Sequence, residues 1–308
     1  MSMKFKHTTA IVDLETGELH VVNPPGTNYT CRTNEALEMA AKHAAADNVK
    51  KAKQKKKSGA SNTYYKKYGG FIWCIYEGAG VLFPTMKPQT LTRVMYLSTY
   101  VNYTGELVDK TGRLLKRDEV RKLLAIGEAS FERFLREARE LEIMKYQDSR
   151  FSFNEAIFKK GPIENLNSII LERSDSITRI YIDGVRALYQ KALGGSLQRL
   201  SYLFRIMPFV NKEYNIVCSN PLEKHKKNIK PLSMGDVAEL VGYGRSNAKK
   251  FQALLLDPVF DIDGEFTRAL RYVSGDKLGV ENHCLFINPK VYYGGNKHEE
   301  VAILGQFS

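Results

Sequence analysis

Two short stretches of this 308-residue chain carry side chains suited to reading a DNA groove. One holds Arg245, Ser246, Asn247, Lys249 and Lys250; the other holds Ser130, Arg133 and Arg136. An arginine fork matches guanine O6 and N7, an asparagine amide matches adenine N6 and N7, and serine or lysine donates to phosphate oxygens. Lys145 and Arg150 flank the strand-like segment after the first stretch, and Arg268 and Arg271 follow the second. Arginines in such positions suit the backbone or the minor groove. Glu128 and Glu132 make the first stretch less welcoming to DNA. The second stretch is therefore expected to bind more strongly.

Such residues read DNA only if a helix holds them in line, and the flanking pattern supplies one. Leu115, Val120, Leu123, Gly127 and Phe134 recur as Leu232, Val237, Leu240, Gly244 and Phe251, each 117 positions later. A short helix packs through Val and Leu, a glycine allows the turn, and a second helix is anchored by Phe. In the first helix Phe131, Phe134, Leu135 and Ala138 share one face and are expected in the core. In the second, Ala248, Phe251 and Leu254 or Leu255 take that place.

Two further blocks repeat in the same order. Residues 71–97 match 177–203, with Gly78/Gly184, Leu82/Leu188, Leu91/Leu197, Arg93/Arg199, Tyr96/Tyr202 and Leu97/Leu203 identical. Phe153-Asn154 to Gly161 matches Ile287-Asn288 to Gly295. The offset grows between blocks, as loops allow and packed elements do not. Asn154 and Asn288 are expected to close turns, Gly161 and Gly295 to permit left-handed bends, and Phe158 and Tyr292 to plug a core.

The fold class that follows is α+β: tandem duplicated winged-helix domains behind an N-terminal β-hairpin and a basic helix. The division is 1–70 for the hairpin and lysine-rich segment, 71–161 for the first winged helix, 162–176 for a linker, 177–295 for the second winged helix and 296–308 for a tail. Within it, residues 8–22 alternate as a hairpin, and Asn34 caps a helix entering the lysine tract. Phe71–Tyr76 reads as a strand turned by Glu77–Gly80. Pro88 starts a helix running to about Tyr100, and Asp183-Gly184 reads as the second unit's turn. Leu197–Phe209 supplies that unit's first helix, broken by Pro208. Its wing, 257–287, is expanded.

The net charge is +12, and eight lysines between residues 48 and 70, with no acid among them, leave only +4 elsewhere. Lys55, Lys56 and Lys57 form the densest part. Such a block favours a polyanion by releasing counterions. No apolar run reaches the roughly 20 residues of a membrane span, and the N-terminus lacks a secretory signal. Four cysteines, Cys31, Cys74, Cys218 and Cys284, stand far apart, which fits a reducing cytoplasm. Neither a phosphate-binding loop nor a His-based metal pair is present. The expectation is a non-enzyme with no catalytic residues, no metal and no cofactor.

Leu285-Phe-Ile-Asn288-Pro289-Lys-Val-Tyr-Tyr-Gly294-Gly295, placed after a winged-helix pattern, resembles the RepL family of plasmid replication proteins. The first unit carries a looser version, Phe151–Gly161, with Glu155 in place of the proline. The two-unit plan also looks like that of iteron-binding initiators at the level of fold. The resemblance implies binding of double-stranded DNA, and replication initiation at origin repeats of a plasmid or phage. Two other readings stay open: a transcriptional regulator built on the same modules, and an interaction module acting on polymerase or replication machinery.

Overall fold

The structure, a computed structural model, describes residues 4–5, 8–12, 19–22, 69–75, 83–161, 177–193, 195, 197–262, 264–274, 283–295, 300–301, 303 and 305–307. The helix expected from Asn34, residues Lys55, Lys56 and Lys57, the turn at Glu77–Gly80 and the 162–176 linker lie outside these residues. The fold is mixed α+β with small antiparallel sheets.

Met1–Thr63 forms one compact unit and Tyr64–Ser308 another. In the first, β1 (Lys4–Phe5), β2 (Thr8–Val12) and β3 (Leu19–Val22) make an antiparallel sheet. The β2–β3 pair is the expected hairpin.

The second unit is built around a four-stranded sheet. Its strands are β4 (Phe71–Ile75), β7 (Phe158–Lys159), β8 (Ile177–Tyr181) and β13 (Tyr292–Tyr293), in the order β13-β8-β4-β7. β4 is apolar on both faces, and β8 is apolar except at Thr178 and Arg179. Ile72, Cys74 and Ile180 enter the main core, while Trp73, Ile75 and Ile177 pack together on the other face. Tyr181 and Tyr293 pack there against Val301, in the segment expected to be a tail.

Helix α1 (Pro88–Ser98) starts on a proline, whose fixed φ and missing donor suit a first turn. Helices α2 (Arg117–Leu123) and α3 (Glu128–Glu140) follow, then the hairpin β5 (Met144–Gln147) and β6 (Arg150–Phe153). After β8 comes α4 (Ile182–Ala192), then α5 (Leu197–Ile206), ended by a 3-10 turn at Met207–Phe209 that contains Pro208. Helices α6 (Met234–Leu240) and α7 (Ala248–Leu256) match α2 and α3 in order. Two hairpins complete the second half: β9 (Val259–Ile262) with β10 (Glu265–Arg268), and β11 (Leu270–Val273) with β12 (Cys284–Ile287).

Asp183-Gly184, expected as a turn, lies instead in the first turn of α4. Asp183 is favourable there beside the free N–H groups. Gly184 is required by close approach, because a Cβ would stand 2.3 Å from the Lys290 carbonyl oxygen. The sequence signal for a turn was a signal for packing.

The two halves repeat the same hydrogen bonds. Asn154 N donates to Ile143 O and Asn288 N to Ala269 O; the Asn154 carbonyl accepts from the N–H groups of Ile157 and Phe158, and that of Asn288 from Val291 and Tyr292. Each side chain also closes its turn: Asn154 Oδ1 accepts from Ala156 N, and Asn288 Oδ1 from Lys290 N. The structural role expected for both asparagines is what they perform. Phe158 and Tyr292 are buried, as expected of core plugs. Asn102 and Asn211 form a second such pair, each accepting two backbone N–H bonds within the next four residues. Isolated bridges recur as well: Val101↔Leu107 with Val210↔Val217, Glu106↔Ser152 with Ile216↔Phe286, and Val108↔Leu114 with Cys218↔Pro231. β5 pairs with β6 in the register that β11 has with β12. Among the described residues the β9–β10 hairpin has no counterpart in the first half.

The halves share one core. A continuous cluster runs from Ile72 through Phe131 and Phe158 to Leu203, Phe251 and Tyr292. Helices α1 and α5 pack together, and Thr92 Oγ1 donates to Leu197 O across that contact at 3.0 Å. Tyr96 stacks on Tyr189 with ring centroids 3.9 Å apart. Arg186 donates to Thr99 O and Oγ1 and lies over the Tyr100 ring. Burying each such large side chain stabilises by roughly 1.5–3 kcal/mol.

Candidate nucleic-acid interface

Helix α3 buries Phe131, Phe134, Leu135 and Ala138, the four residues its periodicity assigned to the core. Its outer face carries Arg133 and Arg136, both exposed, with Ser130 half-buried beside them. Arg133 reaches back to Ala129 O and Ser130 Oγ, each at 3.3 Å. Arg136 has no side-chain partner among the described residues and is free to contact a ligand.

Glu128 and Glu132 do not stand open on this face. Arg117 of α2 pairs with both, and Arg121 pairs with Glu128 at 3.2 Å. The Arg117 guanidinium also sits 4.9 Å from the centre of the Phe131 ring. The expected weakness of the first helix toward DNA is thus largely compensated within the helix pair. Sequence reasoning missed Arg117 and Arg121 because their partners lie across a turn, beyond any i,i+4 spacing.

Helix α7 buries Phe251 and Leu255; Ala248 and Leu254 are half-buried. Arg245, Ser246 and Asn247 form a 3-10 turn that leads into it. All three are exposed, as are Lys249 and Lys250. Here the expectation of an unopposed basic face needs correction. Arg245 is held by Asp236 at 2.7 Å and by Glu239 at 3.4 Å, both on α6. Lys249 and Lys250 keep no acidic partner among the described residues.

The start of each preceding helix is fixed by a carboxylate. Ser233 N donates to Asp236 Oδ2, and Asp236 N donates to Ser233 Oγ, a reciprocal cap. In the first half Lys116 N donates to Glu119 Oε2 at 2.8 Å, and Arg113 pairs with the same carboxyl. The Arg113 guanidinium and that N–H hold Glu119 down at about 2.

The turns differ from expectation. The matched glycines were to supply the tight bend, yet Gly127 has φ −74°. Among the described residues the left-handed position common to both turns is two residues earlier, at Ala125 (φ 52°) and Gly242 (φ 77°). Gly244 is also left-handed, at φ 90°. Of the final glycines, Gly161 has φ 124°, in line with the expected bend. Gly295 is needed instead because a Cβ would meet Lys212 O and Tyr293 Oη at 2.8 Å.

The hairpin that follows α3 is short. Asp148 and Ser149, at φ 51° and 61°, form a two-residue turn between β5 and β6. Lys145 is exposed on β5. Arg150 is exposed but paired with Glu106 at 3.2 Å, so it is less available than its position suggested. In the second half Arg271 lies on the matching strand β11. Arg268 ends β10, in the additional hairpin within the 257–287 segment, and donates to Leu256 O.

Cys74, Cys218 and Cys284 are buried, and burial pushes the thiols of Cys218 and Cys284 up to about 12 and about 11. Thiols so raised are poor nucleophiles near neutral pH. Among the described residues no helix is long and apolar enough to cross a membrane, and no group of His, Cys, Asp or Glu could hold a metal ion. Comparison of the chain with protein-family models, with curated proteins and with solved structures finds no match.

Proposed function

We propose that the chain is a sequence-specific double-stranded DNA-binding protein with two winged helices, acting as a replication initiator that recognises origin repeats. The observation that carries this reading is the recurrence, in both halves, of a turn-linked helix pair whose second helix buries phenylalanine and exposes basic side chains, with the exposed amide of Asn247 added just before α7 in the second half. In this reading α3 and α7 enter successive major-groove segments. Arg133, Arg136 and Asn247 face base edges, while Ser130, Ser246, Lys249 and Lys250 face phosphates. Lys145 follows the backbone beside the first groove. The lysine tract around Lys55, Lys56 and Lys57 adds sequence-independent attraction. The closing motif Leu285–Gly295, with its resemblance to RepL proteins, supports replication over transcriptional regulation.

Binding-site selection on the full chain tests the proposal, followed by titration of the selected duplex at several salt concentrations. Each neutralised phosphate adds about 0.9 to the slope of log K against log salt. We expect a slope of several units and a selected sequence spanning more than one helical turn. A flat salt response, or no enriched sequence, overturns the proposal.

A further inference from the structure

The strand pairing at the centre of the second unit relates the two halves by a local two-fold axis. β4 and β8 run antiparallel with Phe71 opposite Tyr181, Ile72 opposite Ile180, Trp73 opposite Arg179, Cys74 opposite Thr178 and Ile75 opposite Ile177. In the sequence repeat, Phe71 corresponds to Ile177, Trp73 to Arg179 and Ile75 to Tyr181. Trp73 therefore faces its own counterpart, and the first residue of each strand faces the last of the other. Only a two-fold rotation through the Trp73–Arg179 pair produces that register. The outer strands obey it: β7 flanks β4, and its counterpart β13 flanks β8. So do two unlike side chains, since Trp73 Nε1 donates to Gly161 O and Arg179 donates to Gly295 O, at 2.9 and 3.1 Å. Helices α1 and α5, also counterparts, pack against each other.

We propose that the DNA site of this chain is an inverted arrangement of two half-sites of different base sequence, centred on this axis. The inference rests on the DNA-binding reading above and goes further by fixing the polarity of the site. A rigid body with a two-fold axis places counterpart helices on one duplex only when its axis coincides with a dyad of the DNA, so the second helix meets its half-site in the opposite direction to the first. The chain is in effect a dimer within one polypeptide. Its two reading faces differ, however. Glu128, Ala129, Ser130, Glu132 and Arg133 stand where the second half has Arg245, Ser246, Asn247, Lys249 and Lys250. The contacts are therefore mirrored about the dyad while the bases read are not, and the site does not look like a palindrome on inspection.

The test uses the full chain and the duplex it selects. Hydroxyl-radical footprinting first locates the two protected segments and the midpoint between them. One segment is then replaced in place by its reverse complement, which turns the inverted arrangement into a direct one without changing composition or spacing. Affinity is expected to fall by about 10²-fold, the scale of a lost intramolecular second contact. Unchanged or improved affinity would overturn the proposal. A second arm transplants the exposed face of α7 onto α3 through Glu128→Arg, Ala129→Ser, Ser130→Asn, Glu132→Lys, Arg133→Lys and Arg136→Ala. Selection with that variant is expected to return a true palindrome; a direct repeat overturns the inference. A wild-type chain that selects no duplex at all overturns the DNA reading itself, and this inference with it. A chain that selects duplexes but tolerates the reversal overturns only the polarity.

Discussion

In the first half Glu128 and Glu132, at the start of α3, are held by Arg117 and Arg121 of α2. In the second half the signs are exchanged, and Arg245 is held by Asp236 and Glu239 of α6. Both helix pairs thus clasp across the turn with opposite charges, and each clasp withdraws part of what the sequence seemed to offer to a ligand. Counted over matching windows the difference disappears. Residues 117–136 hold five basic and four acidic side chains and residues 234–253 three and two, a net +1 in each. Helix α3 is acidic at its start only when it is considered without its neighbour α2. What separates the two faces is distribution: Arg133 and Arg136, three apart, share one side of α3, whereas the consecutive Lys249 and Lys250 diverge around α7.

The widest gap between the halves is expected at the paired asparagines. Asn288 is almost fully buried and donates to Arg268 O and Thr267 Oγ1, while Asn154 is exposed and donates to Glu142 O. Removing a buried side chain leaves its partners unpaired, so Asn288→Ala should cost about 2–3 kcal/mol. Asn154→Ala should cost roughly 0.5–1.5 kcal/mol, since water replaces the lost bonds. Urea unfolding of the full chain measures both, and equal losses would show that burial does not separate the two turns.

A smaller effect is expected at the clasp. Arg117→Ala frees Glu132 and leaves Glu128 held by Arg121 alone, and should weaken binding to the selected duplex by about tenfold, near 1.4 kcal/mol. The same change combined with Glu128→Gln and Glu132→Gln should restore most of that affinity. Arg117 acts here as a positioning residue. If the triple variant binds as poorly as Arg117→Ala alone, Arg117 itself contacts DNA.

The smallest effect concerns the turns. Ala125 adopts a left-handed φ that Gly242 adopts without strain. Ala125→Gly should stabilise by roughly 0.5–1 kcal/mol and Gly242→Ala should destabilise by about the same amount or more. Thermal unfolding reads the signs; like signs at the two positions would mean that the turns are not equivalent.

Local patterns in the sequence revealed most of the elements and few of their relations. Alternation marked the β2–β3 hairpin, a short apolar run marked β4, and i,i+3 spacing marked α1, α3 and α7, because those signals depend on neighbours along the chain. The core faces of α3 and α7 followed from the same periodicity. The pairing of β4 with β8 could not be read, since nothing local in either strand specifies a partner about a hundred residues away. The clasps at Arg117 and Arg245 were hidden for a related reason: they depend on how two helices meet. The Asn102/Asn211 pair escaped because it falls where the offset between the halves is changing. At Asp183-Gly184 a turn signature served a different physical need, the close approach of Lys290.

The sheet that joins the halves also constrains how the chain comes into being. β4 acquires its central partner only when β8 has been made, about 100 residues later, or roughly 5–20 s at ordinary rates of translation. Throughout that interval the apolar edge Phe71-Ile-Trp-Cys-Ile75 lacks the neighbour it will have in the finished protein. Unpaired edges of this kind are templates for strands from other chains. Two polypeptides growing on adjacent ribosomes can therefore complete each other's sheets, yielding an exchanged pair in which every native contact is present but the connectivity is crossed. Slow translation between residues 75 and 177 should raise the proportion of such pairs, and rapid translation should lower it.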